Sequence, residues 1–256
     1  DPFGASVGGN YVGWSWSTGT SFTNDASSTG VGTIDSTGSA SDTAGFSIVS
    51  YTGTGSNGTI KHGLSSAPSM IIFKARGTGN WLIYHQEIGN THGVFLNTTS
   101  AKDDDATYFQ DTDPTSSVFS IGTSTLVNDT NTYIAYCFAE KKGYSKFGSY
   151  TGNGNADSTF VYTGFRPAFV MVKRTDSTES WYIHDNKRDT FNPSDKHLLA
   201  NSANAENAQE DIDLLSNGIK IRSTDNGYNA SGSSYIYMAF AESPFVNSNG
   251  VPTNAR

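Results

Sequence analysis

The sequence predicts an all-β protein of two tandem antiparallel β-sandwich modules, jelly-roll-like and about 100 residues each, preceded by a stray strand and a linker. Three observations carry this expectation. One phrase occurs twice, as YIAYCFAE at 133–140 and YIYMAFAE at 235–242, at an offset of 102. Apolar residues alternate at period two in short runs separated by turn signals such as SNGT, GTGN, SNG and DNG. Long stretches with helical periodicity are absent; only NSANAENAQEDIDLL at 201–215 leaves room for one short helix.

Taken in order, NYVGWSW at 10–16 shares its alternation with TYIAYCF at 132–138 and SYIYMAF at 234–240. Each places bulky residues on one face: Val12, Trp14 and Trp16; Ile134, Tyr136 and Phe138; Ile236, Met238 and Phe240. After a leading Tyr, the other face is mostly small: Gly13 and Ser15; Ala135, Cys137 and Ala139; Tyr237, Ala239 and Ala241. The bulky face is expected to point inward, and the small face to admit another sheet or chain. Residues 1–16 thus read as the closing strand of a preceding module, with the chain opening in mid-architecture. The Ser/Thr/Gly-rich stretch 17–45 reads as a linker that a compact core need not include.

Module one is expected over 46–144 and module two over 145–245, with a C-terminal tail at 246–256. SYTGTG (50–55) answers SYTGNG (149–154), Pro68 answers Pro167, Lys74 answers Lys173 and Trp81 answers Trp181. Candidate strands in the first module lie near 46–51, 58–62, 69–75, 80–85, 93–97, 106–110, 117–122 and 132–139. The second repeats the set near 146–150, 158–162, 167–174, 180–185, 196–200, 210–214, 218–223 and 234–241. The sequence leaves their order open.

Composition narrows the chemistry. A net charge of −8 without a basic cluster argues against nucleic acid, and no apolar run is long enough to span a membrane as a helix. The single cysteine, Cys137, lies in an apolar strand and reads as a small buried residue, so no intrachain disulfide can form. Trp81, Tyr84 and His85, with Trp181, Tyr182 and His184, could stack sugar rings, but their recurrence at one module position favours packing. Glu179, Asp185 and Asp189, and the Asp103–Asp105 run, suit solvated loops better than a glycosidase pair or a calcium loop. No G-x-S-x-G elbow is present, and no helix follows YTGTGSNG to bind phosphate. Sequons stand at Asn57, Asn97, Asn128 and Asn229, several of which chance alone supplies.

FSIVSYTGTG, HGLSSAPSMIIFK, VFLNTTSA, TYIAYCFAEKKGYSKFGSYTGNG, FVYTGFRPAFVMVKRTDS and YIYMAFAESPF together resemble a domain of unknown function. That domain is found in tandem near the C-termini of large predicted virion and tail-fibre proteins of tailed, often marine, phages. The likeness covers nearly all of 10–245, its most specific part being the FAE…GYSKFGSYTGNG junction. It implies a non-enzymatic structural or adhesive protein on the virion surface, and carries over no catalytic residue. The expected partners are a host cell-surface glycan or protein and other virion proteins, with a homo-oligomer, a trimer in a fibre. A capsid or tail decoration protein, or a carbohydrate-binding module of a polysaccharide-degrading protein, are the alternatives. No metal or cofactor is expected. For ligand binding, the loops that differ between modules are the candidates, through Asp103, Asp104, Asp105, Tyr108, Asn186, Lys187, Arg188 and Asp189.

Overall fold

A computed structural model describes residues 11–244. Its strands are β1 (Thr20–Asn24), β2 (Ser36–Ser41), β3 (Phe46–Thr52), β4 (Gly58–Lys61), β5 (Met70–Ala75), β6 (Leu82–His85), β7 (His92–Phe95), β8 (Asp103–Asp104), β9 (Val118–Ile121) and β10 (Thr132–Phe138). They continue as β11 (Ser145–Thr151), β12 (Phe160–Tyr162), β13 (Pro167–Arg174), β14 (Trp181–Asp185), β15 (Ser194–Leu199), β16 (Asn207–Leu215), β17 (Gly218–Ile221) and β18 (Ser234–Ala241). One-turn helices α1 (Ala26–Thr29), α2 (Ala106–Phe109) and α3 (Asn226–Asn229) interrupt them.

The repeat is a repeat of topology. The first large sheet runs β1-β2-β3-β10-β5-β6-β7-β8, with β4-β9 as a separate pair, and the second runs β11-β18-β13-β14-β15-β16-β17-β12. In both copies the closing strand lies between the first and third strands, and the second strand pairs with the seventh. Those pairings are jelly-roll-like; strands three to six run on as a meander instead. Each copy has its own apolar core. Ile60, Phe119 and Ile121 of the β4-β9 pair cover Val49, Phe73 and Ala135, and Val161, Ile212 and Ile219 cover Val170, Val172 and Tyr235.

A third core lies between the copies. Phe46, Met70, Ile72, Ile83 and Phe138 of the first sheet meet Phe147, Phe169, Met171, Trp181, Ile183, Ile236, Met238 and Phe240 of the second. The bulky face of β18 therefore looks at the other copy, and the small-residue face of each closing strand looks into its own module's core. This corrects the expectation that the bulky face fills the module. Small side chains suffice toward the module because Phe109, Phe119 and Val127 fill that space from the opposite side. Cys137 is fully buried there, and burial pushes its thiol up to about 12. Polar contacts pin the layer at its margins: Trp181 Nε1 donates to Phe95 O (2.8 Å), Gln86 Nε2 to Phe147 O (2.8 Å) and Lys173 Nζ to Thr99 O (3.2 Å).

The segment 17–45 is not merely a linker. β1 and β2 form a hairpin whose second strand pairs with β3, so the first sheet gains two strands, and Ile34 enters the first core. Glycines around Phe22 make this possible: a Cβ on Gly38 of the hairpin or on Gly63 after β4 would collide with the Phe22 ring at 2.9 or 2.5 Å. The stray closing strand is also corrected. Residues 11–19 form no strand, and Trp14 and Trp16 pack against the layer between the copies. Trp16 contacts Phe46, Phe138, Phe169 and Phe240 at centroid separations of 5.5–6.2 Å. Residues 1–10 and the tail at 246–256 fall outside the described residues.

Two local expectations fail for identifiable reasons. The strand expected at 106–110 is the helical turn α2, because Asp105 caps it by accepting from Thr107 N. The short helix allowed at 201–215 does not form; β16 instead covers the strand expected near 210–214, its Ile212 and Leu214 facing the second core while β15 and β17 pair with its edges.

All four tryptophans lie in or against the shared layer, so their fluorescence reports on it. Phe240→Ala should cost about 3–5 kcal/mol, seen as a lower urea midpoint. Far-UV circular dichroism and fluorescence should follow one coincident transition; two resolved transitions would contradict a shared core.

Candidate functional site

The residues expected to bind a ligand fall into two groups, and each is used locally. Asp105 caps α2, and Asp103 accepts from the hydroxyl of Tyr108 at 2.7 Å. Tyr108 itself is buried against Phe95 and Phe109, so its ring offers no stacking face. Asp104 is exposed, with His92 Nε2 3.9 Å away. In the second group, Arg188 donates to Asp185 (2.6 Å), Glu206 (2.9 Å) and the Ile183 carbonyl (3.1 Å). Asp189 accepts from the backbone of Asp195 and Lys196, and Lys187 N donates to Asp185. Asn186 is buried; its amide nitrogen donates to Glu242 and its Oδ1 has no protein partner.

Strand alternation divides the aromatic-His phrases between three cores. Trp81 and Trp181 face the layer between the copies, whereas Tyr84 and His184 face their own modules. Trp81 stacks on Tyr136 at 6.3 Å and borders an apolar cleft of about 480 Å³ that Trp14 and Trp16 also line. Two of the four sequon asparagines are interior. Asn128 accepts from Thr54 N and donates to Ser56 O and Gly122 O, and Asn229 accepts from Asn153 N and donates to Asn155 O and Ser223 O. The pair ties the same turn in each copy.

A polar cluster inside the second module is the densest chemistry among the described residues. β14 supplies His184, β15 Ser194 and His197, β16 Asp211, and α3 Tyr228, all buried. His184 Nδ1 lies 3.2 Å from Ser194 Oγ, and its Nε2 lies 2.8 Å from the Tyr228 hydroxyl. His197 Nδ1 lies 2.8 Å from Asp211 Oδ2, and Tyr228 also faces Asp211. One proton assignment satisfies every member: Ser194 donates to Nδ1 of His184, His184 Nε2 to Tyr228, and Tyr228 and His197 to Asp211. Burial pulls the His184 imidazole down to about 3 and, with the charge of Asp211, holds the Tyr228 phenol well above its usual value.

The first module fills the equivalent positions differently. Matching strand register puts Tyr84 where His184 stands and Gly93 where His197 stands. Equivalent backbone bonds, Gly122 N to Tyr108 O and Arg222 N to Asp211 O, put Tyr108 at the position that Asp211 holds in the second copy. Tyr51 and Tyr150 hydroxyls donate to Val127 O and Tyr228 O, which aligns those two. A Cβ on Gly93 would meet Leu82 Cδ1 at 2.5 Å and the Tyr108 ring at 3.1 Å, so Leu82 and that ring together fill the space that His197 takes in the second copy. Sequence reasoning missed the cluster because its members span 45 positions, 184–228. The available signal was a contrast between the copies, not a motif within one.

The other feature lies on the surface at one end of the second module. Phe191, Tyr162 and Phe160 are 82%, 64% and 42% exposed, whereas most other large aromatics are interior. Nearby is a groove of about 420 Å³ lined by Arg166, Asn192, Asn217 and the 214–216 turn. Asn192 exchanges two bonds with Leu214, and Tyr162 pairs with Gly218, so these aromatics flank the groove through their chain neighbours.

Fold and sites together define a tandem-repeat antiparallel β protein whose second copy carries a buried polar cluster and an exposed aromatic end. The chain belongs to the family described as a domain of unknown function (DUF7483), whose model matches residues 5–244. No curated protein and no solved structure matches it.

Two histidines outside the cluster give a pH prediction. Burial pulls the imidazoles of His62 and His85 down to about 4. The unfolded chain, with histidines near 6.5, then binds more protons than the folded one below that pH. Stability should be full above about pH 6.5 and fall toward pH 4, by up to roughly 1.4 kcal/mol per pH unit for each histidine. Urea midpoints at pH 7.5 and 5.0 check this; equal midpoints would mean that both rings are charged in the folded state.

Proposed function

We propose that this chain is a non-enzymatic structural and adhesive module of a phage virion, part of a tail fibre, that presents a surface to a host cell-surface glycan. The exposed aromatic end of the second module carries the reading. Exposed rings beside polar side chains suit a sugar, because a ring face matches the apolar face of a hexose while Arg and Asn bond its hydroxyls. The layer between the copies supports it as well, since a shared core holds such a surface in a fixed orientation. Resemblance to domains at the C-termini of virion proteins supplies the viral setting. Other virion proteins and further copies of the chain, three in a fibre, are its partners in this reading, and the virion surface is its location.

Binding of host surface polysaccharide by calorimetry tests it. Tyr162→Ala and Phe191→Ala should each weaken binding about tenfold, roughly 1.4 kcal/mol, without moving the thermal midpoint. Unchanged binding in both variants would remove the aromatic end from the site. Shortened polysaccharide chains after incubation would contradict the non-enzymatic reading.

A further inference from the structure

The geometry points to a structural metal site in the core of the second module, in which His184, His197 and Asp211, with the Tyr228 oxygen as fourth ligand, hold one zinc ion or similar first-row divalent cation. One ligand atom from each of His184, His197 and Asp211 lies within 4.8 Å of the others, and all three residues are buried. Two imidazoles with a carboxylate and a phenol oxygen form an N/O donor set that suits a four-coordinate cation, and exclusion from solvent suits a structural ion rather than a catalytic one. Tetrahedral bonds of about 2.0–2.2 Å set ligand atoms roughly 3.3–3.6 Å apart, so a pair at the 4.8 Å limit closes by about 1.2–1.5 Å when the ion binds. Ser194 Oγ beside Nδ1 of His184 is the outer partner that holds this ring with Nε2 turned into the cluster.

The first module is an internal control. With Tyr84, Gly93, Tyr108 and Val127 at the matching positions, the same fold closes its core without a carboxylate inside. The second module places Asp211 in an apolar core with His197 as its close basic partner. A buried carboxylate costs several kcal/mol unless charge and hydrogen bonds offset it. A divalent cation offsets it fully and makes use of both imidazoles. The half-buried Tyr182 ring lies 4.4 Å from Tyr228 and 5.2 Å from His197, covering the cluster, so the ion enters as the chain folds.

The test is to refold the full chain from denaturant with zinc, with magnesium or with EDTA, desalt it, and measure bound metal and the thermal midpoint. The expected result is about one zinc per chain and a midpoint raised by zinc, unmoved by magnesium and lowered again by EDTA. The double variant His197→Gly with Asp211→Tyr installs the pair that the first module uses, and should fold yet retain no zinc. His92→Ala, at the surface beside Asp104, should retain it. If the double variant does not fold, cobalt bound to the wild type decides: strong visible bands of a four-coordinate site support the proposal, and the weak spectrum of a hydrated ion overturns it. Wild type that retains no zinc, or loss of zinc in His92→Ala, also overturns it and leaves a self-satisfied hydrogen-bond network.

Discussion

The aromatic and aliphatic layer between the two large sheets is the constraint on which the rest of the structure depends. Phe138 on β10 and Phe240 on β18 lie 6.2 Å apart, with Phe147, Phe169 and Trp16 around them. A closing strand in the middle of a sheet has two faces; on β18 both are buried, and on β10 the bulky face is half-buried at Ile134 and Tyr136. The strand's hydrogen-bonding edges are taken by the first and third strands of its module, so neither edge is free. The repeated phrase near each module's end therefore records two packing demands at once. Bulky side chains meet the other copy, and mostly small ones meet the module's own interior.

That arrangement explains why a strand beginning with Tyr recurs. Tyr51 stacks on Tyr133 at 5.3 Å and Tyr150 on Tyr235 at 4.8 Å, one pair in each copy. Tyr133 donates to Thr125 O and accepts from Asp129 N, and Tyr235 does the same with Asn226 O and Ala230 N. Each pair anchors the turn that Asn128 or Asn229 also ties. The hydroxyls are satisfied at the end of the core, where a purely apolar ring would leave loop carbonyls unpaired. The loops are thus held from inside, by the residues that look most like packing.

Most of the fold was legible in the sequence, because period-two alternation and an internal repeat survive any arrangement of strands. The all-β class, the antiparallel strands and nearly all their positions follow from that pattern. What was hidden depends on partners that alternation does not name. Packing on both faces of β10 and β18 requires knowing that a second sheet lies on the bulky side. The β1-β2 hairpin was hidden because Ser, Thr and Gly carry little apolar signal, and its pairing is set by room for Phe22 rather than by hydrophobicity. Helix α2 was hidden because a single capping carboxylate, Asp105, decided between two conformations for ATYF. At the candidate sites, Asp103, Asp105, Arg188 and Asp189 stand out as charge in the sequence, yet their side chains are engaged in bonds within or near their own loops.

The polar cluster follows a different logic from these local devices. Asn128 and Asn229, or Tyr133 and Tyr235, occur in both copies, so the shared fold accounts for them. His184, His197, Asp211 and Tyr228 occur in one, and the other copy closes the same space with a tyrosine laid over a glycine. Tyr108 over Gly93 and Asp211 beside His197 are alternative fillings of one volume, each needing both partners changed together. A Cβ at Gly93 would meet Leu82 Cδ1 at 2.5 Å and the Tyr108 ring at 3.1 Å, and a carboxylate in the place of Tyr108 with glycine kept at 93 would be stranded without a base. The difference between copies is therefore a coupled substitution at the centre of a core, where the cost of ionisable groups is highest. A role specific to the second copy, beyond closing its core, is the reading that accounts for that cost.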